Sequence, residues 1–115
     1  MTDRELLEKA AKAAGFQWNS TVQHEDGSLH GCFLDADYQE AWPWNPLIDD
    51  SDALRLAVKL GIDLDCGSDH IVAYIWDFAA RDASVRGIEE PFGGDKLAAY
   101  RRAIVRAAAA LAEGG

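Results

Sequence analysis

The amino-acid sequence predicts an α+β fold, in which α-helices pack on a small antiparallel β-sheet to form an α/β/α-type sandwich. Three segments place apolar residues at helical spacing, and the stretches between them alternate at the shorter period of strands. The predicted order is α-β-β-α-β-(β)-α. At 115 residues and 49% hydrophobic content, the chain suits a single domain over residues 1–115 with one core.

The first helix begins at a capping box, in which the Thr2 hydroxyl accepts a hydrogen bond from the amide of Glu5. Gly15 supplies a left-handed stop. The apolar residues between these two signals recur on one face of the helix: Leu6, Leu7, Ala10, Ala11 and Ala14. Beyond the helix, Asp26 and Gly27 predict a turn between residues 16–25 and 29–34, which we interpret as an antiparallel hairpin.

The middle of the chain combines an irregular stretch with a second helix. Residues 35–48 fit no regular period and predict a structured loop. Asp49 or Asp50 is the expected N-cap of the helix that follows, and Gly61 its stop. Since only Arg55 and Lys59 form an obvious solvent stripe, this helix is predicted to be buried around most of its circumference.

The last third of the chain predicts a strand and a third helix. Residues 70–76 are apolar at both alternating sets of positions, which favours a strand covered on both faces. Residues 78–95 are less regular, with a short edge strand near residues 83–86 and a turn over residues 89–94. The third helix begins near Asp95. Its predicted core stripe, opposite Arg101, Arg102 and Arg106, consists of Leu97, Tyr100, Ile104, Ala108 and Leu111.

Acidic residues are concentrated in the middle of the chain. The net charge is −9, and residues 25–77 carry twelve acids against two bases. Such a field repels the phosphates of DNA and RNA, so no direct nucleic-acid binding is expected, whereas a basic partner would be attracted. Solubility is the simpler explanation of the same charge.

No targeting or membrane segment is expected. No apolar run approaches the length of a membrane-spanning helix, and no secretory signal is visible, so we expect the protein in the cytoplasm. The two cysteines, Cys32 and Cys66, have no metal-knuckle or redox spacing and are expected to be reduced small apolar residues.

Residues 44–61 and 102–110 resemble the phage ABA sandwich domain family, small proteins encoded by bacteriophages and prophages. The resemblance covers about half of the chain. It implies helix, sheet and helix layers and a location in the host cytoplasm. The family has no agreed activity, so the resemblance supplies no catalytic residues.

Two candidate binding sites follow from the residues. Aromatic side chains surrounded by charged residues favour a protein-contact surface or the wall of a ligand pocket. The residues of this candidate site are Trp42, Trp44, Asn45, Asp49, Asp50 and Asp52. Packing of this loop over the sheet is the competing explanation. An alternative anion site combines the glycines before the third helix with arginines inside it: Gly93, Gly94, Arg101 and Arg102. A turn followed by an Asp95 N-cap explains the same glycines.

Metal binding and catalysis are weaker hypotheses. His24 and His30 flank the predicted hairpin turn and, with Cys32, resemble part of a zinc set, but no ligand spacing supports one. Acid pairs that would suit magnesium occur at Asp35 and Asp37, Asp50 and Asp52, and Asp63 and Asp65. A nucleophilic Cys32 or Cys66 with His70 and an aspartate is a further combination. No metal, cofactor or catalytic residue is predicted.

The leading hypothesis is a non-enzymatic phage accessory protein that binds a basic host protein, for example to inhibit a defence system. The runner-up is an oligomeric sponge for a nucleotide signal, in which arginines relieve the acidic field locally: Arg81, Arg86, Arg101, Arg102 and Arg106. A small magnesium-dependent hydrolase is the third. An exposed edge strand or the alanine-rich helix would allow a homodimer.

Overall fold

A computed structural model describes residues 2–18, 21–22, 24–32, 41–77 and 84–113. The elements, in order, are α1 (Asp3–Ala14), β1 (Gln17–Trp18), β2 (Leu29–Cys32), β3 (Ala41–Trp44), α2 (Asp50–Leu60), β4 (Asp63–Cys66), β5 (His70–Asp77), β6 (Ser84–Pro91) and α3 (Lys96–Glu113). This architecture confirms the predicted α+β class and the alternation of helices and strands. No helix in the described ranges is long and apolar enough to cross a membrane.

The predicted signals at the ends of α1 and α2 are confirmed. The Thr2 hydroxyl accepts a hydrogen bond from the Glu5 amide at 3.2 Å, and Gly15 ends α1 with φ 77°. Asp49 is the N-cap of α2, and Gly61 ends that helix with φ 65°. All five residues of the predicted apolar face of α1 are buried.

Helix α3 lies at the centre of the fold. It packs against α1, α2, β5 and β6, and it is buried mainly through small residues such as Ala103 and Ala107. Their small side chains allow neighbouring helices to approach closely. In the predicted core stripe Ile104 and Ala108 are buried, but Leu97 in the first turn is exposed.

The strands form two three-stranded antiparallel sheets in the described part of the chain, where one was predicted. The strand orders are β1-β2-β3 and β4-β5-β6. Strand β3 occupies residues predicted to be loop, and Trp44 pairs with Leu29. Pro43 is compatible with β3 because the strand lies at a sheet edge, where its missing amide hydrogen is not needed.

Two burial predictions are wrong. Helix α2 exposes 63% of Leu54 and 74% of Val58, because it packs on its neighbours through one flank that carries Leu56. Within the described residues, strand β5 is covered on one face only. Ile71 and Ile75 are buried beneath α3, whereas Trp76 is 40% exposed on the other face. An antiparallel sheet commonly packs on the core through one face alone.

The sheet formed by β4, β5 and β6 is more extensive than predicted. The segment predicted as a short edge strand near residues 83–86 is the beginning of β6, which continues to Pro91. Strand β6 pairs with β5 over eight residues, from Ser84 opposite Asp77 to Pro91 opposite His70. The register places Arg86, Ile88 and Glu90 on the face covered by α3, opposite the buried residues of β5.

Candidate functional site

The predicted aromatic site around Trp42 and Trp44 is largely interior. Trp44 is 2% exposed, and its ring contacts Phe16 edge to face with centroids 5.5 Å apart. Asn45 is also buried, and its side-chain oxygen accepts a hydrogen bond from the Leu47 amide at 3.1 Å. Trp44 and Asn45 therefore pack in the core and do not form an exposed contact surface. The side chain of Trp42 lies outside the described residues.

The three aspartates of the same candidate site organise the start of α2. Asp49 accepts a hydrogen bond from the Asp52 amide at 2.9 Å, and Asp52 accepts one from the Asn45 amide at 3.0 Å. Burial raises the pKa of Asp52. Asp50 forms an ion pair with Arg101 at 2.6 Å. Each of the three carboxylates thus has a partner within the protein, and none needs a ligand to account for its position.

The alternative anion site does not bring its residues together. Gly93 and Gly94 form a turn with positive φ, after which Asp95 caps α3 by accepting a hydrogen bond from the Ala98 amide at 3.0 Å. Arg101 donates to the Leu47 carbonyl at 2.9 Å and to Asp50. Arg102 donates to the Asp3 carboxylate at 3.1 Å. Both guanidinium groups thus serve contacts between helices.

The two hairpin histidines face each other as predicted. His24 Nε2 lies 3.2 Å from His30 Nδ1, and the ring centroids are 5.4 Å apart. The Cys32 side chain, like Asp35 and Asp37, lies outside the described residues. Within the described ranges no group of three His, Cys, Asp or Glu side chains is placed to hold a metal ion.

The candidate nucleophile and base at the other sheet lie on opposite faces. Cys66 is a free, exposed thiol, and its register partner is Ile71 on the α3-covered face. His70, one position before Ile71, belongs to the other face. Its Nδ1 donates to Asp69 at 2.7 Å, and this hydrogen bond raises the pKa of His70 and lowers that of Asp69. The arrangement does not support a Cys66–His70 pair.

The best candidate for a ligand site is a cavity of about 480 Å³ between α1, α3 and β6, which we call the arginine pocket. It is lined by three arginines, one glutamate and four apolar residues: Arg86, Arg102, Arg106, Glu90, Leu6, Ile88, Ala109 and Ala110. Its volume lies within the range of roughly 300–1,000 Å³ that is usual for small-molecule sites.

Positive charge predominates in the arginine pocket. Glu90, 14% exposed, forms ion pairs with Arg106 at 2.5 Å and Arg102 at 3.8 Å. Arg106 also donates to the Glu89 carbonyl at 2.9 Å, which fixes its position. Arg86 is exposed and, among the described residues, has no carboxylate partner. Asp3 also pairs with Arg102 at 3.1 Å, so among the described residues three guanidinium groups stand against two carboxylates. The pocket is therefore locally cationic by one charge in a chain whose net charge is −9.

Local sequence rules explain how the pocket forms. Arg102 and Arg106 are four residues apart, so both lie on one face of α3. Arg86, Ile88 and Glu90 alternate along β6 and share the face that meets α3. The sequence predicted that these arginines relieve the acidic field locally, but it did not predict that they share one cavity.

No protein-family model, curated protein or solved structure matches the chain.

Proposed function

We propose that the protein is a non-enzymatic binding protein that holds a small phosphorylated ligand, of nucleotide type, in the arginine pocket. The observation that supports this proposal is the convergence of Arg86, Arg102 and Arg106 on one cavity. Guanidinium groups bind phosphate oxygens through paired hydrogen bonds. The proposal puts the nucleotide sponge ahead of host-protein binding through residues 42–52, because Trp44 and Asn45 are buried.

Binding is favoured over catalysis by the chemistry of the lining. Among the described lining residues Glu90 is the one candidate base, and two arginines hold it as an ion-paired carboxylate. The described part of the lining includes no serine, threonine, cysteine, histidine or lysine that would act as a nucleophile or a proton donor. The pocket offers charge and shape, which suffice to hold a ligand.

The apolar part of the lining indicates that the part of the ligand beyond its phosphate is apolar. Leu6, Ile88, Ala109 and Ala110 provide carbon surface beside the arginines. A ligand that combines a phosphate with a flat ring satisfies both kinds of surface, since the ring buries apolar area while the phosphate pairs with guanidinium groups. Nucleotides have this composition, and their size suits a cavity of about 480 Å³.

The resemblance to the phage ABA sandwich domain family gives the proposal a biological setting. A phage protein that holds a nucleotide in the host cytoplasm would remove it from the host enzymes or receptors that respond to it. Such sequestration is one form of defence inhibition. It needs no turnover, only affinity and sufficient protein.

Isothermal titration calorimetry with AMP, ADP and ATP tests the proposal directly, with adenosine and inorganic phosphate as separate halves of the ligand. Arg86→Gln is the diagnostic variant because Arg86 holds no ion pair among the described residues, so its loss leaves the fold intact. Arg55→Gln is the matched control, since it removes the same charge from the exposed side of α2.

We expect at least one of the nucleotides to bind more tightly than adenosine. Arg86→Gln should weaken that binding by about tenfold or more, as expected for the loss of a hydrogen bond to a charged group. Arg55→Gln should leave it unchanged. The proposal fails if no nucleotide binds, or if both variants weaken binding equally. Native mass spectrometry of the purified protein would add the mass of any retained ligand and the oligomeric state.

A further inference from the structure

The sheet of β4, β5 and β6 has a face directed away from α3 that carries aromatic and acidic side chains and takes no part in the arginine pocket. Antiparallel register places Asp63 opposite Tyr74, Asp65 opposite Val72, and Glu89 opposite Val72 from the other side. Directly paired residues point to the same side of a sheet. We call this surface the open sheet face and define it by Asp63, Asp65, Val72, Tyr74, Trp76 and Glu89.

The open sheet face is uncovered in the described part of the protein. Helix α3, which has extensive contacts with β5 and β6, lies against the opposite face, where Ile71, Ala73 and Ile75 are buried. On the open side Trp76 is 40% exposed, and Val72 and Tyr74 are half-buried. Large apolar side chains thus form a strip along β5 that meets solvent.

Two contacts within the protein restrict the conformations of these side chains before a partner binds. The Trp76 indole nitrogen donates a hydrogen bond to Asp63 at 3.0 Å, which holds the ring in one orientation. The Tyr74 ring and Val72 lie over Gly87, where an added Cβ would come within 3.1 Å of each side chain. Rigid aromatic side chains lose little conformational entropy on binding and are common hot spots of protein interfaces.

Carboxylates flank the strip on both sides. Asp63 and Asp65 border it on β4, and Glu89 borders it on β6. His70 lies on the same face with its Nε2 3.5 Å from the Glu89 carboxylate, so three carboxylates face one imidazole among these residues and the face stays acidic. We propose that the open sheet face docks a basic segment of a partner protein, with Trp76 and Tyr74 contacting arginine or lysine stems and the carboxylates pairing with their charges. Cationic side chains are attracted both to aromatic faces and to carboxylates, so the strip and its borders favour the same partner.

The same charges disfavour other occupants. A nucleic acid would bring its phosphates against the carboxylates of Asp63, Asp65 and Glu89. A second copy of this chain, docked through the same face, would oppose acidic borders to acidic borders. A basic protein segment avoids both of these charge repulsions. The inference does not depend on ligand binding in the arginine pocket, because the two surfaces use opposite faces of the sheet.

A peptide titration followed by ¹⁵N nuclear magnetic resonance tests the docking. The probe is an end-blocked octapeptide of alternating arginine and alanine, added to the full chain at low salt. The indole N–H signal of Trp76, assigned by its loss in Trp76→Phe, reports the face directly. The diagnostic variant is Asp65→Asn with Glu89→Gln, and the charge-matched control is Glu5→Gln with Glu25→Gln, two exposed acids elsewhere.

We expect the peptide to shift the Trp76 indole signal and the amides of β4, β5 and β6 above all others. The diagnostic pair should weaken binding about fivefold or more, and the control pair less than twofold. Shifts spread evenly over the protein, or equal weakening by both pairs, would show attraction to net charge alone and overturn the proposal. Concentration-dependent dimerisation that Trp76→Ala abolishes would overturn it as well, because a second copy would then be the occupant.

Discussion

Replacement of Trp44 by alanine tests most directly whether this side chain of the edge strand β3 packs in the core. The structure buries all but 2% of this side chain and places it edge to face against Phe16. Truncation of a buried tryptophan typically costs about 3–5 kcal/mol, through lost burial and an unfilled cavity. In a domain of this size, that loss lowers the midpoint of thermal unfolding by roughly 12–20 °C.

Trp76→Ala is the matched control for this measurement. Trp76 sits on a strand of the second sheet and is 40% exposed, with an exposed hydrogen bond to Asp63. Because much of its surface already meets solvent, its truncation should cost only about 1–2 kcal/mol. Urea unfolding followed by circular dichroism gives both free energies of unfolding. A cost for Trp44→Ala below about 1 kcal/mol, or equal to that of Trp76→Ala, would refute the burial of Trp44.

Two further predictions concern polar contacts. The hydrogen bond from His70 to Asp69 raises the pKa of His70 above its ordinary value, so its stabilising contribution is complete below about pH 6.5 and is lost as the pH rises through the folded-state pKa. Asp69→Asn should lower the pKa of His70 in a nuclear magnetic resonance titration, and an unchanged value would contradict this cause. Arg101→Met should cost about 1–3 kcal/mol in urea unfolding, because it leaves the Leu47 carbonyl unpaired. Asp50→Asn, which weakens only the exposed ion pair, should cost less than about 1 kcal/mol, and equal losses would refute the contact with Leu47.

The helices could be predicted from the sequence because their signals are local. The cap at Thr2, the cap at Asp49 and the stops at Gly15 and Gly61 are each decided within a few residues. Burial could not be predicted as well. The apolar residues of α2 suggested a deeply buried helix, yet Leu54 and the residue one turn later are exposed, since the number of neighbouring elements is a property of the whole fold.

The strands show where local patterns mislead. Pro43 and Pro46 suggested a loop over residues 35–48, but a proline at a sheet edge removes no needed hydrogen bond, so β3 forms around Pro43. Strand β6 mixes charged, small and apolar residues without a regular order and lacks the apolar alternation of a usual strand. Its pairing with β5, whose apolar residues are strongly strand-forming, compensates for that composition.

The candidate sites depended on contacts that are distant in sequence. Arg102 and Arg106 are neighbours on α3 by helical spacing, but their approach to Arg86 and Glu90 requires β6 to pack beneath α3. Nothing local predicts that meeting. The aromatic site of the sequence analysis failed for the complementary reason. Its loop composition suggested exposure, whereas tertiary packing carries Trp44 into the core.

Strand β6 explains how one acidic chain presents surfaces of opposite charge. Its alternation directs Arg86 and Glu90 toward α3, where two further arginines outweigh the glutamate, and directs Gly87 and Glu89 toward the open sheet face. The sheet therefore separates a cationic pocket from an anionic surface by the thickness of a single layer. Because the two surfaces share no side chain, Arg86→Gln should leave peptide docking unchanged, and the Asp65 and Glu89 variants should leave nucleotide binding unchanged. A change in both by either set of variants would mean that long-range charge, and not local geometry, governs binding.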